Sequence, residues 1–292
     1  MAEGFVLVDK DGGWTSHDVV AKCRGIFGER RIGHAGTLDP MATGLLVLGV
    51  GRATRLLRYI QEGVKQYVAR IGFGVATDTL DADGAILERE PMDFTPEQLR
   101  ASAARFVGIT SQVPPMVSAI KVGGRRLHEL AREGIEVERK SRTVEIHEIQ
   151  ILEVTPGPYP EAEIAVKCGS GTYIRTLADD LARTLGGRAH LTALRRTSIG
   201  PHHVNDAFTV DALDALDDPA RTVLGMSSGL GDLDLLVVDP DTVSGVSNGV
   251  VFTAAVIGAA APGSYRLVDV SGRLLAVYVS DGRRAKPEVV VA

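Results

Sequence analysis

The most informative stretch of this 292-residue chain reads Gly33-His34-Ala35-Gly36-Thr37-Leu38-Asp39-Pro40-Met41-Ala42-Thr43-Gly44. Its three glycines permit unusual backbone angles and let a ligand come close to the main chain. Asp39 precedes a proline, which disfavours helix at that position. The residue types alone leave two interpretations open. Asp39 is a turn former or helix cap, or it is a carboxylate that acts as a nucleophile.

Short strands and helices are predicted on both sides of this loop. Apolar runs at residues 5–8 and 45–50 indicate buried strands. Thr15-Ser16-His17-Asp18 offers N-cap residues for a helix over 19–26. Further strands are predicted at 67–73, 143–154 and 161–168, and further helices at 95–106, 127–132 and 172–185. Because strands and helices alternate without a regular βαβ rhythm, the pattern favours an α+β fold over a doubly wound sheet.

The last third of the chain predicts a second, smaller domain. Residues 235–292 are rich in valine and glycine and contain short apolar runs at 235–238, 265–270, 274–279 and 289–291. Short strands of this kind are typical of small β-barrels. The aspartate-rich segment 211–234 predicts a linker or a short helical connector. We therefore expect a first domain at 1–230 and a small β-barrel-like domain at 231–292.

The net charge hides an uneven distribution. The chain has 32 Lys+Arg against 37 Asp+Glu, a formal net charge of -5, which argues against a nucleic-acid partner. Residues 1–200 contain 26 basic and 25 acidic side chains, net +1, whereas residues 201–292 contain 6 and 12, net -6. The acidic excess therefore lies in the last third, and the average describes neither part.

Several classes of protein are disfavoured by the sequence. Cys23 and Cys168 are the only cysteines and form no C-x-x-C pair, which excludes a zinc ribbon or a dithiol redox site. Sparse cysteines without a secretory signal predict a cytoplasmic protein. No apolar run approaches the about 20 residues that a membrane helix needs, so no membrane partner is expected.

Two local motifs suggest ligand sites, and each has a simpler interpretation. Residues 49–54 imitate a dinucleotide-binding turn, but Thr54 replaces the third glycine and no acid follows about 20 residues on. A structural turn is favoured, and no nucleotide cofactor is expected. His202 and His203, with Asp206, offer metal-ligand types, but adjacent strand residues point apart. Surface histidines are favoured, and no metal is expected.

Residues 33–44 resemble the catalytic motif of the TruB family of tRNA pseudouridine-55 synthases. Further family motifs follow in the same order over residues 5–200. They are Val8-Asp9-Lys10 with Gly13-Trp14-Thr15-Ser16, Lys65-Gln66-Tyr67, Thr77-Asp78-Thr79 with Asp81 and Gly84, Lys121-Val122-Gly123-Gly124-Arg125-Arg126 with Leu130-Ala131-Arg132, Ser170-Gly171-Thr172-Tyr173-Ile174-Arg175, and Leu194-Arg195-Arg196. The chain departs from the pattern at Asp11, where proline is usual, and at His128, where tyrosine is commoner.

The resemblance implies an isomerase that converts the T-loop uridine at position 55 of tRNA to pseudouridine. It implies a pseudouridine synthase fold, with a mixed, mostly antiparallel sheet flanked by helices. No cofactor is implied, since the reaction has no redox step and no group donor. Three residues are implied to be catalytic: Asp39 as the essential carboxylate, Arg175 as its partner, and Tyr67 as the residue that stacks on the extruded base.

Other residues are implied to bind the substrate. His34 is expected to fill the space that the base vacates, and Tyr173 and Leu194 to line the pocket. Lys10 belongs to the N-terminal motif, and an RNA-binding insertion is expected at about 121–144, with Lys121, Arg125 and Arg132. The tail resembles a PUA-type domain, and a monomer is expected. A tRNA-folding chaperone, with catalysis secondary, is the alternative function.

Overall fold

A computed structural model describes residues 3–118, 121–122, 124–127, 130, 133–135 and 137–291, with the backbone alone for Lys121, Val122 and Arg126. Arg132 lies outside the described residues, as does most of the helix predicted at 127–132. The chain divides into two compact units. The first contains residues 1–40, 44–63 and 198–292, and the second contains residues 41–43 and 64–197.

The strands and helices follow each other in a mixed order. The strands are β1 Gly4–Lys10, β2 Ile32–His34, β3 Thr43–Val50, β4 Lys65–Phe73, β5 Val75–Thr77, β6 Ile86–Arg89, β7 Gly108–Gln112, β8 Lys121–Val122, β9 Arg125–Arg126, β10 Arg142–Thr155, β11 Glu161–Cys168, β12 Ala189–Ile199, β13 His202–His203, β14 Phe208–Thr209, β15 Asp234–Val237, β16 Phe252–Thr253, β17 Pro262–Val268, β18 Leu274–Asp281 and β19 Arg284–Val290. The α-helices are α1 Ser16–Phe27, α2 Leu57–Glu62, α3 Pro96–Ala104, α4 Ile174–Thr184, α5 Val210–Asp214 and α6 Pro240–Ser247. This order confirms the predicted α+β class.

In the first unit, β1 is the strand against which the N-terminal elements assemble. It pairs with β3 in antiparallel fashion from Gly4 opposite Val50 to Lys10 opposite Gly44. The short strand β14 adds to β1 in parallel, and β2 adds to β3 in antiparallel fashion. Helix α1 begins at Ser16, three residues before the predicted start, with a capping box between Thr15 and Asp18, two of the predicted N-cap residues. Its buried side chains pack on the apolar side chains of β1 and β3.

In the second unit, five strands follow the order β12-β4-β11-β10-β7. The β4–β11, β11–β10 and β10–β7 pairs are antiparallel. Helix α3 begins with a capping box between Thr95 and Gln98, with Pro96 in its first turn. Helix α4 buries Leu177 and Leu181 completely. The prediction of a mostly antiparallel sheet flanked by helices is confirmed.

The C-terminal residues form a separate five-stranded sheet with the order β15-β17-β18-β19-β16. Apart from the parallel β15–β17 pair, its strand pairs are antiparallel. The small β-barrel-like architecture predicted here is confirmed. One hydrophobic cluster joins Val277 and Val289 of this sheet to Phe5 and Leu56 from the N-terminal part of the same unit. The predicted domain boundary between residues 230 and 231 stays a prediction.

Two arginines bind the last residues of this sheet to the N-terminal part of the unit. They lie on a 3₁₀-helix over Gly51–Leu56, which follows β3 directly. Arg52 Nη1 donates to the Val291 carbonyl oxygen at 2.6 Å, and Arg55 Nη1 donates to the Val290 carbonyl oxygen at 2.6 Å. Residues 51–54 of the run 49–54 thus belong to this 3₁₀-helix, and Arg52 of that run binds the Val291 carbonyl.

Strand β12 is the main element that the sequence did not predict. It carries Arg195 and Arg196 in its second half, and Arg196 is fully buried. Charged side chains rarely occupy buried strand positions unless they are paired, so the two arginines made the segment look unlike a strand.

In the part of the chain that the structure describes, no helix is long and apolar enough to cross a membrane.

Candidate functional site

The loop that carries Asp39 is held on both sides of that residue. Asp39 is half-buried and lies between β2 and β3. The Leu38 amide donates to the Ser16 hydroxyl at 2.9 Å, and that hydroxyl donates to the Leu38 carbonyl at 3.3 Å. On the other side, the Pro40 carbonyl accepts from the Gly13 amide at 2.8 Å. The backbone around the carboxylate is therefore fixed before a substrate arrives.

Lys10 contributes a buried ammonium group to the same loop. Its side chain is 0% exposed. Nζ donates to three carbonyl oxygens, those of Trp14 at 2.7 Å, Asp11 at 2.9 Å and Pro40 at 3.2 Å. A buried charge needs such partners, because transfer from water is otherwise very unfavourable. This geometry favours a role in holding the loop, whereas direct substrate contact by Lys10 stays a prediction.

Arg175 lies in the first turn of α4 and is 3% exposed. Its Nη1 donates to Asp81 Oδ2 at 3.1 Å and to the Thr79 carbonyl at 2.9 Å. Its Nη2 donates to the Val117 carbonyl at 2.8 Å. Helix α4 has no side-chain cap at Tyr173, so these contacts help to anchor its start. The guanidinium group is thus desolvated and held in one orientation.

The predicted pocket residues Tyr67, Tyr173 and Leu194 come from three elements of the second unit. Tyr67 is buried on β4, Leu194 is buried on β12, and Tyr173 is half-buried immediately before α4. The side-chain amide of Gln112 fixes Tyr173 in both directions. It accepts from the Tyr173 amide at 3.0 Å and donates to the Tyr173 carbonyl at 3.3 Å. The backbone at Tyr173 is therefore fixed through a residue on β7.

His34 and Arg195 belong to the remaining predicted motifs. His34 is half-buried on β2, and its ring meets the His17 ring edge-on at a centroid distance of 5.4 Å. Arg195 Nη1 donates to Thr43 Oγ1 at 3.4 Å. His34 therefore packs on His17 of α1 within the first unit, and Arg195 contacts Thr43 within the second unit.

The predicted RNA-binding insertion is described in part. Arg125 is exposed on β9 and forms an ion pair with Glu133. Lys121 lies opposite Arg126 in the β8–β9 pair, which places its backbone and leaves its side chain outside the described atoms. Arg132 lies outside the described residues. Arg139 donates to the Pro114 carbonyl at 3.1 Å and so ties the insertion to the segment that precedes it.

Three buried polar residues near the predicted site were not predicted as site residues. Ser16 and Asp81 fall within family motifs, and they contact residues 22 and 94 positions away. Gln112 has no local signal at all, because its partner Tyr173 is 61 positions away in sequence. The burial of Gln112 and its contact with Tyr173 can be recognised only once the fold is known.

One of the two histidines considered as metal ligands differs from the prediction of surface histidines. His202 is buried and not on the surface, and its Nε2 lies 2.8 Å from the Gly229 carbonyl oxygen. His203 is exposed, as predicted. Over the described ranges, no group of three or more His, Cys, Asp or Glu side chains could hold a metal ion.

Burial raises the pKa of Cys23 to about 12 and that of Cys168 to about 11, so both thiols stay protonated near neutral pH.

Comparison with protein-family models defines the class of protein. A model of the TruB family pseudouridylate synthase N-terminal domain matches residues 24–174. A model of the tRNA pseudouridylate synthase B C-terminal domain matches residues 175–226. The chain therefore belongs to the TruB family of pseudouridylate synthases, and the predicted enzyme class is confirmed.

Two relatives of known sequence share the name tRNA pseudouridine synthase B. The chain is 51% identical over 221 residues to tRNA pseudouridine synthase B of Thermobifida fusca, covering 74% of this chain and 75% of the relative. It is 42% identical over 304 residues to the protein of that name from Mycobacterium leprae, covering 100% and 91%. Among solved structures, a Cbf5-Nop10-Gar1 complex matches with a TM-score of 0.75 and 23% identity, covering 99% of this chain and 84% of that chain. That match shows the fold, and the predicted pseudouridine synthase fold is confirmed.

Proposed function

We propose that this chain converts the T-loop uridine at position 55 of tRNA to pseudouridine and needs no cofactor. The relatives are named for pseudouridine synthesis in tRNA. The observation that carries the proposal is the fixed backbone on both sides of Asp39, through Ser16, Gly13 and Lys10. Such preorganisation is what a catalytic carboxylate requires and a simple turn does not.

The reaction assigns clear tasks to the charged residues. The N1–C1′ glycosidic bond breaks, the base turns, and C5 bonds to C1′, while C5 loses a proton and N1 gains one. Atoms and electrons balance within the uridine, so no oxidant or group donor is consumed. Asp39 supplies the carboxylate, and the buried Arg175 supplies a fixed positive charge for the charge that develops. The desolvated guanidinium supports that task, since a fixed charge acts more strongly away from water.

Base extrusion gives Tyr67 its proposed task. A uridine must leave its stack to reach a carboxylate in a closed pocket, and unstacking costs a few kcal/mol. Stacking on an aromatic ring is worth about 1–3 kcal/mol per base, which offsets much of that loss. Tyr67 supplies the ring, His34 occupies the space left in the RNA, and Tyr173 and Leu194 line the pocket.

Recognition of the tRNA T-arm is assigned to local basic residues. The exposed Arg125 supports this, as do Lys121 and Arg132 in the same insertion. Contacts of this kind release counterions from phosphates, so affinity should fall as salt rises. A monomer, a cytoplasmic location and a PUA-type domain at 231–292 belong to the same proposal.

Asp39→Asn tests the catalytic assignment. Incubated with an unmodified tRNA transcript, the wild-type chain should convert one T-loop uridine, detected by mass spectrometry after selective labelling of pseudouridine. Asp39→Asn should convert none, because the amide is neither a base nor a nucleophile, and should still bind the transcript. Full activity in Asp39→Asn would disprove the assignment. If wild type binds and refolds tRNA without forming pseudouridine, the chaperone alternative is correct.

Tyr67→Leu tests base stacking. Turnover should fall far more than tRNA affinity, because leucine fills similar space and offers no aromatic face. Tyr159→Leu is the matched control, since Tyr159 is an exposed tyrosine whose ring packs against Arg89. The measurement is the single-turnover rate alongside the dissociation constant. Equal rates for Tyr67→Leu and Tyr159→Leu would reject the stacking role.

A further inference from the structure

We propose that Thr79 is a positioning residue for the reaction, acting through Asp81 on Arg175. Its hydroxyl orients the Asp81 carboxylate. Its backbone carbonyl accepts a hydrogen bond from Arg175 Nη1, the same nitrogen that donates to the Asp81 carboxylate. The proposal rests on the function proposed above, in which Arg175 supplies the fixed cation. It adds a residue that never needs to touch the RNA.

The two oxygens of the Asp81 carboxylate have different partners. Oδ2 accepts from Arg175 Nη1 at 3.1 Å. Oδ1 accepts from the Thr79 hydroxyl at 2.5 Å and from the Asp83 amide at 3.2 Å. The Thr79 carbonyl accepts from Arg175 Nη1 at 2.9 Å. Thr79 therefore contacts both members of the buried ion pair, one with its side chain and one with its backbone.

The hydroxyl matters because a carboxylate turns easily. The terminal torsion of aspartate is broad, so one contact at Oδ2 does not set the plane of the group. A second contact at Oδ1 sets it, and hydrogen bonds to a charged acceptor are about twice as strong as neutral ones. Without the Thr79 hydroxyl, the longer Asp83 contact would be left to hold Oδ1, and the contact between Oδ2 and Nη1 would be set less firmly.

The surrounding loop cannot adjust to replace that contact. Leu80 has a φ of +61°, a left-handed conformation that is unfavourable for a residue with a branched side chain. Its carbonyl accepts from the Leu191 amide at 3.0 Å, which fixes the loop to β12. A Cβ on Gly84 would lie 2.3 Å from Thr79 Oγ1 and 2.5 Å from Asp78 Oδ1. Strain and close packing of this kind are typical of functional sites.

Thr79→Val is the primary test, with Thr79→Ser as the conservative rescue. Valine keeps the shape and removes the hydroxyl, so the single-turnover rate should fall about 10-fold or more while tRNA affinity is unchanged. Serine retains the hydroxyl and should restore most of the rate. Thr79→Ala serves if the valine variant does not fold. Rates for Thr79→Val or Thr79→Ala equal to wild type would overturn the proposal.

A matched threonine separates positioning from simple stability. Thr77 Oγ1 donates to the Asp81 backbone carbonyl at 2.8 Å and does not contact the carboxylate. Thr77→Val should therefore lower the melting temperature at least as much as Thr79→Val and lower the rate much less. Parallel losses of rate and stability in the two variants would mean a merely structural role.

A double-mutant comparison tests the route through Asp81, and Arg175→Lys separates failure of the Thr79 role from failure of the proposed function. If Thr79 acts through Asp81, adding Thr79→Val to Asp81→Asn should cause no further loss of rate. Additive losses would overturn the route through Asp81. If Arg175→Lys keeps the wild-type rate, the proposed function of Arg175 fails. If Arg175→Lys is inactive and Thr79→Val is fully active, the role of Thr79 alone fails.

Discussion

A lysine without exposed surface shows how single residues hold the loop that carries Asp39. Lys10 Nζ donates to three carbonyls, one of which belongs to Pro40, next to Asp39. The three carbonyl oxygens therefore replace the water that the buried ammonium group has lost. In turn, Lys10 Nζ supplies each of these carbonyls with a charged hydrogen-bond donor. Ser16 serves the same loop as both donor and acceptor.

Lys10→Met should lower the free energy of unfolding by about 1–3 kcal/mol, because buried carbonyls lose a charged donor. Urea unfolding measures the change. Lys22→Met is the control, since Lys22 pairs with Asp214 at the surface, where both side chains are more than 40% exposed and such pairs contribute about 0–1 kcal/mol. Equal stability of the two variants would contradict the holding role. The rate of folded Lys10→Met should fall far less than that of Asp39→Asn.

At this scale the sequence predicts what is local. The cap Thr15, which accepts from the amide three positions on, is among the N-cap residues that the sequence predicted. Gln112 and His202 bond to partners 61 and 27 positions away, so their burial could not be predicted. The loop around Asp39 left a turn former and a nucleophile both open, and only the family resemblance implied its essential role and its pairing with Arg175, because a lone acid and a lone helical arginine carry no distinctive spacing.

Elements were predicted where periodicity is strong. β11 begins and ends as its alternation predicts, at Glu161 and Cys168. β12 was not predicted, because its buried face includes Arg196. The two-residue strands β13, β14 and β16 form because neighbouring strands offer hydrogen-bonding partners. Such short segments have no periodicity of their own.

The stability of the turn between β17 and β18 should depend on pH through the Asp269 carboxyl. The Ser271 hydroxyl, followed by Arg273, lowers the pKa of Asp269 to about 2. A lowered pKa means that the turn is stabilised above the ordinary value of about 3.9 and loses this stabilisation as pH falls through about 2. NMR titration of the Asp269 carboxyl should give a midpoint near 2. Ser271→Ala should raise it more than Arg273→Ala does, and a wild-type midpoint near 3.9 would refute the assignment.

At the scale of the whole molecule, the first unit combines both ends of the chain. Residues 1–40 and 44–63 share it with residues 198–292. Phe5 pairs with Leu224, and Arg52 and Arg55 hold the carbonyls of the last strand. The sequence predicted the C-terminal strands from their apolar runs. It could not predict where they pack, because nothing local relates residue 52 to residue 291.

Replacing both Arg52 and Arg55 by alanine should lower the free energy of unfolding by about 1 kcal/mol, a value reduced for partial exposure. Hydrogen exchange should accelerate at the Val291 amide, which donates to the Leu275 carbonyl at 2.9 Å. Arg100→Ala is the control, since Arg100 is exposed and pairs with Glu97 within α3. Unchanged protection at Val291 in the double variant would show that the arginines do not hold the chain end.

The joining of both ends has a consequence for synthesis on the ribosome. The strands that begin the first unit emerge first, yet their hydrophobic cluster includes Leu230, Val277 and Val289. The second unit, residues 64–197, is fully translated while the first still lacks a third of the chain. The nascent strand β1 therefore lacks these apolar partners until Val277 and Val289 have been synthesised. A chain stopped before residue 230 would expose Phe5 and Leu56 to quality control.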